Sequence, residues 1–96
     1  MLTWVIYDIS KTKTRNRVVK SCLKAGIYRV QKSVFLGDIN KTQVKQLQSE
    51  FDDLIDADSD SIYIFPMCKD DFKQCLLLGQ AFSKELVSDE IKVLFL

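Results

Sequence analysis

The chain contains no histidine, one proline and three isolated glycines in 96 residues. Without histidine there can be no Ser–His triad, no imidazole general acid or base, and almost no zinc chemistry. The glycines form neither a phosphate-cradling Walker loop nor a dinucleotide fingerprint. Cysteine is sparse, and Cys22, Cys68 and Cys75 follow no familiar metal spacing. They are expected to be buried or half-buried thiols in a reducing compartment. No run is long and apolar enough to cross a bilayer. The N-terminus lacks the basic start and small-residue cleavage site of a signal peptide. A cytoplasmic location away from membranes is therefore expected. What remains for an enzyme is a carboxylate holding a hard cation such as Mg²⁺.

Acid is also scarce where the chain begins. Asp8 is the only acidic residue among positions 1–37, which carry eight basic side chains. It ends the apolar run Leu2-Thr3-Trp4-Val5-Ile6-Tyr7 and precedes Lys11, Lys13, Arg15, Arg17, Lys20 and Lys24. Positions 38–60 reverse the balance, with two basic and seven acidic residues, so a net charge of +1 hides a dipolar molecule. A cationic stretch of this kind attracts polyanions, and a lone carboxylate within it suggests a metal ligand or general base. The plainer alternatives are two solvated faces of opposite sign, and an Asp8 that opens a turn or caps a helix.

The length fits one domain over 1–96, with a core at about 2–67 and a tail at about 68–96. Residues 2–9 read as a strand, apolar on both faces as in the middle of a sheet. Ser10, Thr12 and Thr14 offer caps for a helix over 15–25, whose stripe is Val18, Val19, Cys22, Leu23 and Ala25. Gly26 is placed to stop it. Residues 27–39 are extended, as two short strands or one bent one, and Gly37-Asp38 punctuates them. Asn40 caps a second helix, with Gln43 as its capping-box partner and Val44, Leu47, Phe51, Leu54 and Ile55 as its buried stripe. Residues 56–61 form an acidic loop, and 62–66 a strand that Pro66 ends. This order, β-α-β-β-α-β, is the ferredoxin-like α+β arrangement, an antiparallel sheet with two helices on one face. In the remainder, 69–74 suits a short helix, 75–78 an extended segment, and 81–86 is ambiguous. An extra C-terminal strand is expected over 91–96. That strand needs an edge to pair with, and a second copy of the chain would provide one.

Asp8 then lies where a strand leaves the sheet. A dimer axis would bring two such carboxylates to one metal. Arg29 and Lys32 join the basic helix as candidates for phosphate binding, because a guanidinium grips phosphate bidentately. Tyr7, Tyr28 and Phe35 are candidates for base stacking or for the core.

The run Tyr7-Asp8-Ile9, the helix bearing Arg15 and Arg17, Gly26, and Arg29-Val30-Gln31-Lys32-Ser33-Val34-Phe35 together resemble a known family. It is the small CRISPR-associated adaptation protein, Cas-two, described as an endoribonuclease. The segment Asp60-Ser61-Ile62-Tyr63-Ile64-Phe65-Pro66-Met67-Cys68 resembles its last core strand. The resemblance spans residues 2–68. It implies a ferredoxin-like homodimer whose C-terminal strands add to the partner's sheet, with Mg²⁺ or another hard divalent cation held between two copies of Asp8. It further implies that Asp8 is the catalytic and metal residue, and that Arg15, Arg17, Arg29 and Phe35 meet nucleic acid. The partners it implies are RNA or double-stranded DNA and the CRISPR integrase subunit.

Two functions follow from the resemblance. One is a homodimeric Mg²⁺-dependent endoribonuclease or endonuclease serving spacer acquisition. The other is a non-catalytic DNA-binding scaffold that bridges integrase dimers. A related ribonuclease toxin of the virulence-associated type shares the strand-end Asp, but the intact Gln31-Lys32-Ser33-Val34-Phe35 run argues against it.

Overall fold

The computed structural model describes residues 1–79. Its elements are β1 (Leu2–Asp8), α1 (Thr12–Lys24), β2 (Tyr28–Gln31), β3 (Val34–Asp38), α2 (Lys41–Leu54), β4 (Ser61–Met67) and α3 (Lys69–Gln74). The expected strand at 91–96 and the ambiguous 81–86 lie outside the described residues. Cys75 to Leu78 carry no regular element.

The four strands are ordered β2-β3-β1-β4, and every neighbouring pair is antiparallel. β1 is therefore central, as its two apolar faces require. α1 links β1 to β2, and α2 links β3 to β4, which gives the ferredoxin-like fold. One face of the sheet, with Val5, Tyr7 and Phe35, packs on Val18 and Cys22 of α1 and on Leu47 and Phe51 of α2. Burying each of these large apolar side chains stabilises the fold by roughly 1.5–3 kcal/mol. The other face carries Leu2, Trp4 and Leu36, which are covered by Phe72 of α3. The rings of Trp4 and Phe72 lie 5.9 Å apart and tilted.

Local chemistry explains where the elements stop. At the end of α1, Gly26 takes φ +87°, a conformation that glycine adopts at no steric cost. The Gly26 amide donates to the Leu23 carbonyl at 3.1 Å, and the Ile27 amide to that of Cys22 at 3.2 Å. This is a Schellman motif, and it ties the buried Ile27 over the buried Cys22. α2 opens with a complete capping box. The Asn40 side chain accepts from the Gln43 amide at 2.8 Å, and the Gln43 side chain accepts from the Asn40 amide at 2.9 Å.

Several boundaries differ from the sequence reading. α1 starts at Thr12 rather than at 15, and its N-cap, Lys11, makes no side-chain capping bond. Ser10 turns instead toward Asp60, and Arg15 reaches back from the first turn to donate to the Ile9 carbonyl. Gly37 does not punctuate. It lies within β3, where a Cβ would come 2.8 Å from the Ile27 Cα, so only glycine lets that backbone approach. Pro66 does not end β4, whose pairing with β1 continues to Met67 opposite Leu2. β4 borders one neighbour within this sheet, and a proline is tolerated on a strand edge. No helix among the described residues is long and apolar enough to cross a membrane.

Candidate active site

One end of the sheet gathers the segments that bear on Asp8. β1 terminates there at Asp8, opposite Ser61 at the start of β4. The turn between β2 and β3 joins it, because the Tyr7 amide donates to the Ser33 carbonyl at 3.1 Å. Within that turn the Gln31 side chain accepts from the Lys32 amide at 3.1 Å. The Gln31–Phe35 run therefore forms the hairpin that seats the strand bearing Asp8. Asp8 is exposed, and its carboxylate has no hydrogen-bond or ion-pair partner among the described residues. By strand alternation it belongs to the face of Leu2, Trp4 and Ile6, away from α1 and α2.

The loop after Asp8 is held from both sides. Arg15 is half-buried, and its Nη1 donates to the Ile9 carbonyl at 3.1 Å while its Nη2 donates to Thr12 Oγ1 at 2.8 Å. Its guanidinium is thus partly committed to the backbone rather than wholly free for phosphate. From the other side, the Ser10 amide donates to Asp60 Oδ1 at 3.3 Å, and the Asp56 amide donates to Asp60 Oδ2 at 3.0 Å. Asp60 is 9% exposed, in contrast to its exposed neighbours Asp56 and Asp58. The Asp56 amide holds its carboxyl below the ordinary carboxylate value, and the amide and hydroxyl of Ser10 add to this against partial desolvation. The sequence reading placed Asp60 in a solvated acidic loop and missed it. Its signal was slight: an acid directly before a β strand, on which amides from two loops converge.

The other anticipated residues divide. Arg17 is exposed, and with Lys13, Lys20 and Lys24, also exposed, it follows helical spacing along the outer side of α1. Arg29 is exposed on β2, where it donates to the Tyr7 hydroxyl at 3.4 Å and lies over the Phe35 ring. Phe35 is a correction. It is fully buried in the core between sheet and helices, so its ring offers no face to a base. Tyr7 is likewise core, at 5% exposure, whereas Tyr28 is 39% exposed.

The thiols also separate. Cys22 is buried, and desolvation pushes it up to about 12, with Arg29 lowering and Glu50 raising it. Cys68 is exposed, which departs from the expected burial, and it donates to Asp71 Oδ2 at 3.1 Å. No group of three or more cysteine, aspartate or glutamate side chains among the described residues is placed to hold a metal ion. Asp8 supplies one free, hard oxygen donor. Magnesium is commonly held by one or two carboxylates together with substrate phosphates and water. The donor chemistry of Asp8 is of the kind that suits that ion.

Comparison with known proteins adds the decisive observation. Residues 1–75 match the family model described as CRISPR associated protein Cas2. The chain belongs to the Cas2 family. A relative from Methanospirillum hungatei, named CRISPR-associated endoribonuclease Cas2 1, is 32% identical over 83% of this chain and 84% of its own length. A relative of the same name from Archaeoglobus fulgidus is 38% identical over 72% of this chain and 73% of its own length. Crystallographic Cas2 from Streptococcus pyogenes superposes with a TM-score of 0.70, at 27% identity, covering 82% of this chain and all of that one. The Cas2 assignment and the ferredoxin-like fold thus agree with the sequence reading.

Proposed function

We propose that this Cas2 protein is a homodimeric, Mg²⁺-dependent endoribonuclease serving spacer acquisition, with Asp8 of each copy at its metal site. The observation that carries the reading is the Asp8 carboxylate, without a partner among the described residues, on a strand end fixed by three neighbouring segments. The names of the relatives, which are endoribonucleases, supply the reaction class.

The face that bears Asp8 favours pairing with a second copy. Tyr63 is 53% and Phe65 47% exposed, and their rings stack nearly parallel with centroids 6.1 Å apart. They stand opposite Ile6 and Trp4 in the β1–β4 register, on the same side as Asp8. An apolar patch of this kind is more stable when covered. A two-fold axis through it would bring two Asp8 carboxylates toward each other. Bound there, magnesium would polarise a phosphoryl oxygen and generate hydroxide from water at neutral pH. Asp8 would hold the ion, and Arg17 and the neighbouring lysines would attract the nucleic-acid backbone.

A second reading, a DNA-binding scaffold that bridges integrase subunits, is favoured by one arrangement. The cationic side of α1 lies in the helical layer, whereas Asp8 belongs to the opposite sheet face. A duplex on α1 would therefore not need Asp8.

Asp8→Ala in highly purified protein decides between the readings. The first predicts loss of Mg²⁺-dependent RNA cleavage with binding retained. Undiminished cleavage by Asp8→Ala would refute it. A wild-type protein that binds duplex but cleaves nothing would support the scaffold reading.

A further inference from the structure

We propose that Asp60 is a positioning residue for Asp8. The inference rests on the reading of Asp8 as the metal-binding carboxylate. Asp60 lies at the point where two loops meet. Its Oδ1 accepts from the Ser10 amide at 3.3 Å and from the Ser10 hydroxyl at 3.5 Å, and its Oδ2 accepts from the Asp56 amide at 3.0 Å. Both oxygens are thus engaged with donors of the protein, and the residue is largely buried. Its effect is on geometry. Ser10 lies two residues beyond Asp8, and Asp60 immediately precedes Ser61, the β4 residue paired with Asp8. One carboxylate therefore fixes the exit of the strand that carries Asp8 and the start of the strand beside it.

The arrangement has a counterpart on the opposite side of the same loop. Arg15 holds the Ile9 carbonyl, so successive backbone groups after Asp8 are fixed by a cation and an anion in turn. Arg15 anchors the loop to its own helix. Asp60 anchors it to the segment leading from α2 into β4, which locks the end of β1 to the sheet. Loss of Asp60 leaves the Ser10 amide without its acceptor and lets the loop rotate about the Arg15 contact. An exposed strand-end carboxylate then samples a wider range of directions. Outer residues that orient a metal ligand are typically worth about 10–100-fold in metal affinity.

The test uses full-length wild type, D60N, D8A and D60E. Asparagine keeps the shape of the side chain but presents an amide NH₂ to one of the backbone donors. Mn²⁺ titrations follow metal binding, and ¹⁵N relaxation follows the order of the Ile9 and Ser10 amides. RNA affinity is measured without metal. D60N is expected to bind Mn²⁺ about tenfold more weakly, to lose order at Ile9 and Ser10, and to keep its RNA affinity. Mn²⁺ affinity and amide order within twofold of wild type would overturn the proposal. Should D60N fail to fold, D60E, which keeps the acceptor but shifts it by one methylene, takes its place with the same expected and overturning results. If wild type and D8A bind Mn²⁺ equally, the metal reading of Asp8 fails. Asp60 is then decided by amide order alone, with disorder in the variant upholding its hold on the strand end and unchanged order refuting it.

Discussion

The guanidinium carbon of Arg29 lies 5.4 Å from the centroid of the Phe35 ring, on the covered side of the sheet. The cation faces solvent and the ring faces the core, so the aromatic supports an arginine from beneath instead of stacking a base. The same guanidinium reaches the Tyr7 hydroxyl at 3.4 Å, and the Tyr7 and Phe35 rings stack 6.3 Å apart. This cluster fixes β2 against β1 through β3.

Phe35→Leu separates support from stacking. A stacked base is worth about 1–3 kcal/mol by substitution, which is about 5–150-fold in affinity. A core Phe replaced by a smaller apolar side chain instead lowers stability by about 1–2 kcal/mol. The folded F35L protein is expected to melt lower and to bind single-stranded RNA within about twofold of wild type. Thermal denaturation and fluorescence anisotropy below the melting range measure both effects. A large loss of RNA affinity in well-folded F35L would return Phe35 to the binding surface.

Asp60 makes a prediction for acid. Its folded carboxyl is held below the ordinary 3.8. A depressed carboxylate stabilises the fold fully above its unfolded value, and that stability is lost as the pH falls through the folded value. Wild type should therefore lose stability below about pH 4 more steeply than D60N, which is weaker at neutral pH but lacks this titration. Urea denaturation between pH 7 and pH 2.5 tests the difference. Parallel stability curves for the two proteins would show that Asp60 is not the titrating group.

Much of this architecture was legible in the residues, and the failures have physical causes. The two stripes of apolar residues, Gly26 and the Asn40–Gln43 box act locally, so each one identified its element. α1 begins at Thr12 with no side-chain cap, because Ser10 bonds to Asp60 fifty residues away in sequence. Such a bond has no local signature. Gly37 reads as punctuation in the sequence, because its reason for being glycine is the Ile27 backbone pressed against it in the fold. Asp8 stood out as an isolated acid. Asp60 did not, because five other acids precede it from Glu50 onward and only folding distinguishes it.

Cys22 and Cys68 should react very differently. Burial raises the Cys22 thiol from 9.0 to about 12, and its side chain is fully enclosed. Thiolate is the reactive form, so Cys22 is inert at pH 8 while exposed Cys68 is modified. Mass spectrometry after brief iodoacetamide treatment should find Cys68 labelled and Cys22 labelled only after denaturation. The same shift gives an alkaline limb. Between pH 9.0 and about 12 the unfolded chain ionises Cys22 and the folded one does not, so stability falls as pH rises. Cys22→Ala should remove that part of the alkaline loss, despite creating a small cavity. Rapid labelling of Cys22 in the native protein would contradict its enclosure.

Arg15 and Arg17 are two positions apart in the sequence and are expected to fail in different ways. Arg15 spends its guanidinium on the Ile9 carbonyl and the Thr12 hydroxyl, whereas Arg17 projects into solvent with no partner among the described residues. Arg15→Ala should cost about 1 kcal/mol of stability, or about 4–8 °C in Tm for a domain of this size. Arg17→Ala should leave Tm nearly unchanged. In nucleic-acid binding, removal of one phosphate contact lowers the magnitude of the salt slope by about 1. That change is expected for Arg17→Ala. For Arg15→Ala the main effect should be on the loop beyond Asp8, with weaker Mn²⁺ binding. Melting curves and RNA titrations at several salt concentrations distinguish the two. Arg15→Ala with native stability and a reduced salt slope would mean that its guanidinium meets phosphate after all.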